Sequence, residues 1–243
     1  MFEIKCEDNL LFMKTIKTDS LDLIYGDILY GTGNNFPDFK DLKPIKNLIY
    51  DFYVPRISEM KRILKPTGSV YLQMDWRINH WIRCIGDDIF GYNNFRNEII
   101  WYYNSSPRKK GNFSNRHDTI LRWSKTDKFK FNEDNIREPY SLSAPRGYEK
   151  EKYYNPRGKI MGDVWQINIL GQNDKKERTG YSTQKPKELI KRIIETSTDK
   201  NDLVGDFFLG SGTSAVLCKE LERNFIGCDI NEKSIRITKE RLK

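Results

Sequence analysis

The stretch DLVGDFFLGSGTSAVLCKELERNFIGCDI, from Asp202 to Ile230, decides the fold. DLVGDFF is a short apolar run of strand length, TSAVLCKELE follows with helical character, and NFIGCDI is a second apolar strand. Between the first strand and the helix lies the turn Gly210–Thr213, whose glycines let the backbone come close to a ligand. Asp229 stands 17 residues after Gly212, at the end of the second strand, where its carboxylate can accept from ribose hydroxyls. Gly-x-Gly alone is a weak signal. Strand, Gly-x-Gly, helix, strand and acid in that order is a stronger one. A tight turn with no ligand and a nicotinamide dinucleotide site are the competing readings. Asp206 fits poorly beside a pyrophosphate and well beside an ammonium group, which favours S-adenosylmethionine.

The rest of the chain extends this unit. FEIKC is a strand, DNLLFMKTI a helix and LDLIY a buried strand. From Ile45 to Leu64, apolar residues at 49, 52, 53, 57, 60, 63 and 64 predict an amphipathic helix, Pro66-Thr67-Gly68 should break that helix, and SVYLQM follows as a strand. WRINHWIRCIGDDIF reads as helix, EIIWYY and HDTILRWSK as strands, KPKELIKRIIETS as a helix with Pro186 near its first turn, and NEKSIRITKERLK as a helix capped by Asn231. Alternating strands and helices predict an α/β chain with a largely parallel, Rossmann-like sheet. Residues 1–103 and 174–243 form its expected core. Residues 104–173, irregular apart from HDTILRWSK, are the expected insertion.

With 37% hydrophobic residues, the 243-residue chain can fill a core. No apolar run has the length of a membrane span, and MFEIKCEDN lacks a secretory pattern, so a cytoplasmic protein without a membrane partner is expected. Cys6, Cys84, Cys218 and Cys228 have no metal-ligand spacing, and no metal site is expected. The net charge of +8 is concentrated: between Asn104 and Lys159 there are 14 Lys and Arg against 7 Asp and Glu, a surplus of seven. Phe113, Phe129, Phe131, Tyr140, Tyr148, Tyr153 and Tyr154 interleave with those cations. Such a segment suits nucleic acid, with cations for phosphate and rings for stacking; a solvated loop with no specific ligand is the alternative.

Two further stretches complete a pattern. DILY, Asp27 to Tyr30, follows the buried strand LDLIY, and YSTQKP, Tyr181 to Pro186, immediately precedes a helix. Taken with DFFLGSGTS, they make the chain resemble the beta-class amino DNA methyltransferases over nearly its whole length. In that family the target-site motif comes first, the target-recognition insertion second and the cofactor motif last. The resemblance implies a class I methyltransferase sheet with circularly permuted motifs. It implies S-adenosylmethionine as cofactor and double-stranded DNA as partner, and it leaves open a homodimer and a cognate restriction endonuclease. Asp206, Phe208, Gly210, Ser211, Gly212 and Thr213 match the cofactor loop, Asp229 the ribose acid, and Asp8 an acid bordering the adenine. Thr183, Gln184 and Lys185 match the motif that closes over the methionine end. Arg108, Lys109, Lys110 and Arg116 become phosphate-contact candidates, while Arg146 and Arg157 suit base edges or stacking.

DILY occupies the position at which the family treats its target base. The lone pair of an exocyclic amine is delocalised into the ring, so the nitrogen is a poor nucleophile. A carboxylate and a backbone carbonyl that both accept from the NH2 pull it toward tetrahedral geometry, and a ring stacked on the flipped base holds it there. The resemblance assigns these roles to Asp27, the carbonyl of Ile28 and the ring of Tyr30, whose hydroxyl matters less. The family usually has Asp-Pro-Pro-Tyr, so Ile28 and Leu29 leave the carbonyls but loosen the loop. Asp rather than Ser at position 27 favours adenine N6. The alternatives are cytosine N4, or a methyltransferase-like DNA-binding protein with weakened catalysis.

Overall fold

A computed structural model describes residues 1–104, 110–140, 155–171, 174 and 177–243. In chain order the elements are β1 (Phe2–Cys6), α1 (Asn9–Thr15), β2 (Leu21–Asp27), α2 (Lys46–Ile63), β3 (Leu64–Met74), α3 (Asn79–Phe90), β4 (Phe95–Tyr102), β5 (His117–Ser124), β6 (Arg137–Glu138), β7 (Lys159–Ile160), β8 (Val164–Gln166), α4 (Lys187–Ser197), β9 (Leu203–Asp206), α5 (Thr213–Glu220), β10 (Asn224–Asp229) and α6 (Glu232–Arg241). The main sheet runs β1-β10-β9-β2-β3-β5-β4-β8. It is parallel from β1 through β3, antiparallel at β3–β5 and β5–β4, and parallel again at β4–β8.

β2 is buried along almost its whole length, which is why its sequence is a continuous apolar run and not an alternating one. Its side chains still alternate between faces. Ile24 packs into the cluster with Phe12, Tyr53, Ile57 and Ile82 from α1, α2 and α3. Leu23 and Tyr25 pack into the other, with Leu189, Ile193, Leu217 and Ile235 from α4, α5 and α6. The result is a helix–sheet–helix sandwich.

One strand boundary differs from expectation. α2 ends at Ile63, ahead of Pro66-Thr67-Gly68 as expected, but β3 starts before SVYLQM, at Leu64, and carries those three residues within it. The pairing jumps from Leu21↔Leu64 to Leu23↔Ser69, so the extra residues are taken up as a bulge. Gly68 permits this: a Cβ there would sit 2.8 Å from Leu64 Cδ2 and 3.0 Å from the Asp22 carbonyl. The expected 104–173 insertion contributes strands to the main sheet. β5 lies inside the main sheet, between β3 and β4, and β8 pairs with the far side of β4. Alternating apolar residues in HDTILRWSK marked β5 as a strand but said nothing of its neighbours, and the three-residue β8 is too short for a periodic signal.

Candidate active site

Asp27, Asp206 and Asp229 each end a parallel strand, β2, β9 and β10. β2 and β9 are neighbours, yet the chain leaves β9 through α5 toward β10 on one side, and leaves β2 through α2 toward β3 on the other. That divergence opens a crevice at the carboxyl ends of the strands. A cavity of about 420 Å3 fills it, lined by Asp8, Asp27, Ile28, Tyr30, Thr183, Lys185, Phe208, Gly210 and Asp229. Phe36 and Phe39, stacked with ring centroids 4.8 Å apart, form part of its wall. A smaller cavity alongside shares Asp27, Thr183 and Lys185 and adds Asp206, Ser211 and Thr213.

The glycine turn holds the cofactor end. The N–H of Gly210 donates to Asp229 Oδ2 at 2.8 Å and the N–H of Asn231 to Oδ1 at 2.9 Å, which orients the carboxylate while each oxygen keeps a lone pair. Burial raises the Asp229 carboxyl above its ordinary value, against those hydrogen bonds. Gly212 caps α5 at φ 72°, and a Cβ on it would lie 2.2 Å from Thr238 Oγ1. An acid with free lone pairs at a strand end, a bare backbone turn and phenyl walls fit S-adenosylmethionine: carboxylate for ribose, apolar rings for adenine.

Asp206 is turned inward. Its Oδ1 accepts from the N–H of Phe208 at 3.0 Å and its Oδ2 from the Ser214 hydroxyl. Burial pushes its carboxyl up to about 7, with Asp27 and Asp229 adding to the rise and those two hydrogen bonds opposing it. An acid raised in the folded state stabilises the fold while it is protonated. The advantage is complete near pH 4 and is lost as pH rises through about 7. We expect Asp206→Asn to unfold like the wild type near pH 4 and to gain stability relative to it above pH 7, by up to about 4 kcal/mol. Urea unfolding of the cofactor-free protein across that range measures it.

Asp27 sits in a denser network. Lys185 Nζ donates to its Oδ2 at 2.6 Å, and the Tyr30 hydroxyl lies 2.8 Å from its Oδ1. Burial raises the Asp27 carboxyl, and Lys185 opposes the rise. The same Tyr30 hydroxyl lies 2.8 Å from Asp118 Oδ2, on β5. Burial, with the charges of Asp118 and Asp27, lifts the Tyr30 phenol well above its ordinary value. The Tyr53 hydroxyl donates to the Leu29 carbonyl at 2.8 Å, which ties down a loop that lacks its prolines.

Other expected residues are placed less simply. Asp8 caps α1, accepting from the N–H groups of Leu10 and Leu11, and its Oδ2 accepts from Arg56 at 2.8 Å, so its carboxylate is largely taken up although it lines the cavity. Gln184 turns away from the cavity, accepting from Thr179 and donating to the Glu177 carbonyl. Lys110 and Arg116 are exposed on either side of Phe113, which is 98% exposed. Arg157 is paired with Asp134 at 2.7 Å. Phe129 and Phe131 are half-buried, their centroids 5.0 and 4.5 Å from the buried Arg122 guanidinium. Arg108, Lys109 and Arg146 lie outside the described residues.

Sequence reading missed Asp118, Gln73, Tyr103 and Asp38. Asp38, almost fully buried, accepts from Ser182 and from Lys233 at 2.6 Å, clamping the Phe36–Phe39 strap to the loop before α4 and to α6. For Asp118 the signal was an acid at the head of an apolar strand. Asp38 gave no local sign.

Sheet order, crevice and glycine turn together are those of a class I methyltransferase. The sequence profile of the N6_N4_Mtase family, described as DNA methylase, matches residues 21–240. The chain belongs to this family of S-adenosylmethionine-dependent DNA methyltransferases. It is 35% identical over 243 residues to the type II methyltransferase M.HpaI of Haemophilus parainfluenzae, covering 98% of this chain and 73% of that protein. It is 31% identical to the DNA adenine methyltransferase YhdJ of Escherichia coli strain K12, covering 97% and 80%. Among solved structures, the PvuII DNA methyltransferase (cytosine-N4-specific) matches with TM-score 0.76 and 16% identity, over 100% of this chain and 86% of that one. Among the described residues, no helix is long and apolar enough to cross a membrane.

Proposed function

We propose that this chain methylates the N6 amine of an adenine extruded from duplex DNA at a specific sequence. One observation supports the reading above others: Asp27 and Tyr30 line the same cavity as Gly210 and Asp229, so target amine and methyl donor share one space. S-adenosylmethionine bound there supplies an electrophilic methyl group on a sulfonium. Asp229 orients the ribose, and Phe36, Phe39 and Phe208 exclude water. Asp27 and the Ile28 carbonyl accept from the amine and expose its lone pair, while the Tyr30 ring stacks on the base. The adenine specificity in the name of YhdJ is in line with this reading, and the type II designation of M.HpaI is in line with a cognate nuclease beside it.

Labelled methyl from S-adenosylmethionine is expected in N6-methyladenine after the duplex product is digested to nucleosides. Label only in N4-methylcytosine would replace the base assignment, and no label in DNA would sink the reading. Asp229→Ala is expected to weaken cofactor binding by about 1–3 kcal/mol, since it removes an acceptor and strands the donor facing it. Isothermal calorimetry reads this directly.

The segment around Phe113 is the proposed DNA contact. Neutralising Arg108, Lys109 and Lys110 together is expected to weaken cognate and random duplexes alike, lowering the salt slope by about 1 per contact, with cofactor affinity unchanged. Filter binding across a salt series tests this, and an unchanged slope returns these cations to solvent.

A further inference from the structure

The Tyr30 hydroxyl has one proton and two carboxylates within reach, Asp27 Oδ1 and Asp118 Oδ2, each at 2.8 Å. Only one can receive it. Asp27 already has a cation, with Lys185 Nζ at 2.6 Å from its other oxygen. Asp118 is 5% exposed and, among the described residues, has no cation within ion-pair distance, so neutral donors must stabilise its charge. Gln73 Nε2 donates to its Oδ2 at 3.1 Å and the Tyr103 hydroxyl to its Oδ1 at 3.1 Å. The Tyr25 hydroxyl donates to Gln73 Oε1 at 2.8 Å, which fixes the amide in that sense. Gln73 Nε2 also points at the Tyr30 oxygen, 3.2 Å away. Asp118 therefore needs the Tyr30 proton more than Asp27 does.

We propose that Asp118 is a positioning residue for methyl transfer: by taking the Tyr30 proton, it turns the phenol oxygen's lone pair onto Asp27 Oδ1, ready to accept from Asp27 once that group is protonated. The inference rests on the proposed function in one respect, the source of the proton. The amine lone pair forms the new N–C bond as the C–S pair leaves with sulfur, and the nitrogen is left cationic with both its protons. One proton passes to Asp27 and restores a neutral amine. Asp27 Oδ1–H then donates to the Tyr30 oxygen, while Tyr30 keeps its own proton directed at Asp118. The groups facing Asp27 are Tyr25 from β2, Tyr30 from the loop after it, Tyr53 from α2, Asp118 from β5, Asp206 from β9, and Tyr181 and Lys185 from the segment before α4. Asp75, after β3, faces the Asp118–Tyr103 end.

The sign of one shift decides the matter, and no turnover is needed. In cofactor-free protein labelled with 13C at the aspartate carboxyl carbon, the Asp27 resonance is assigned from its loss in Asp27→Asn and followed against pH. Tyr30→Phe removes the acceptor from the protonated acid, so the Asp27 midpoint is expected to fall, by about half to one pH unit. If Tyr30 donates to Asp27 instead, the same change raises the midpoint; a rise or no shift overturns the proposal. Asp118→Asn removes a nearby negative charge and frees the hydroxyl to donate to Asp27, so it too is expected to lower the midpoint. Its single-turnover transfer rate is expected to fall about tenfold, with cofactor affinity and melting temperature reporting that the fold is kept. An unchanged rate removes Asp118 from the reaction. Absence of methyl transfer by the wild type would count against the proposed function and would leave the titration result standing.

Discussion

Asp27→Ala is expected to lower single-turnover methyl transfer by about 10³-fold or more while cofactor affinity stays near wild type. The rate effect has the size seen when a preorganised group at a reacting centre is removed. The separation of rate from binding follows from what Asp27 touches. Its described partners are Lys185 and the Tyr30 hydroxyl, whereas the glycine turn is oriented by Asp229. The substitution also leaves Lys185 without its partner in a part-buried site, so the variant will be less stable, and Asp27→Asn is the control that keeps the shape. Asparagine presents one acceptor oxygen and no charge, and it cannot take the amine's proton. It should therefore retain cofactor binding and more of the stability, but little of the rate. Rapid-quench transfer assays paired with calorimetry measure both quantities, and normal methylation by either variant would reduce the quartet to the end of a strand.

Gly212→Val is expected to lose at least about 3 kcal/mol of stability, and cofactor binding with it. The residue lies at φ 72°, where an L side chain costs about 1–2 kcal/mol. Its Cβ would also fall 2.2 Å from Thr238 Oγ1, and Thr238 is fully buried on α6. α6 cannot retreat cheaply, because Arg241 Nη1 donates to the Ser211 carbonyl at 2.6 Å and the Ser234 hydroxyl to the Gly210 carbonyl. The helix is thus bonded to the very turn that the substitution would push away. For a chain of this size the loss corresponds to a fall in melting temperature of roughly 6–12 °C. Calorimetric melting of the cofactor-free variant reads it, and a melting temperature within a degree of wild type would mean that the turn is not packed as described.

The sequence reveals this fold where a single element carries its own signal. The run from Asp202 to Ile230 and the α2 periodicity are local, and both elements formed as expected. Sheet order is a different kind of fact. Nothing in HDTILRWSK tells that it lies antiparallel between β3 and β4, and that placement is what delivers Asp118 to Tyr30. The carboxyl ends of β2, β9 and β10 announced Asp27, Asp206 and Asp229 because acids that interrupt apolar runs stand out. For Asp27 and Tyr30, further partners come from 158 and 43 residues away, Lys185 to Asp27 and Gln73 to Tyr30, and no short window contains both members. The Tyr30 hydroxyl was undervalued for the same reason: its bond to Asp27 is local, but its bond to Asp118 spans 88 residues. Phe129 and Phe131 are legible only in part. Their spacing among cations suggested a binding surface, and the cations they meet in the fold are Arg96 of β4 and the buried Arg122 of β5, which no local pattern pairs with them.

The most direct measurement is the sequencing of modified bases in DNA from a methylation-deficient host that expresses either the wild-type chain or Asp27→Ala. The site described here predicts N6-methyladenine confined to one short sequence context in the first DNA and absent from the second. Equal methylation in both, or no modified base in either although the wild-type protein is folded and binds S-adenosylmethionine, would contradict it.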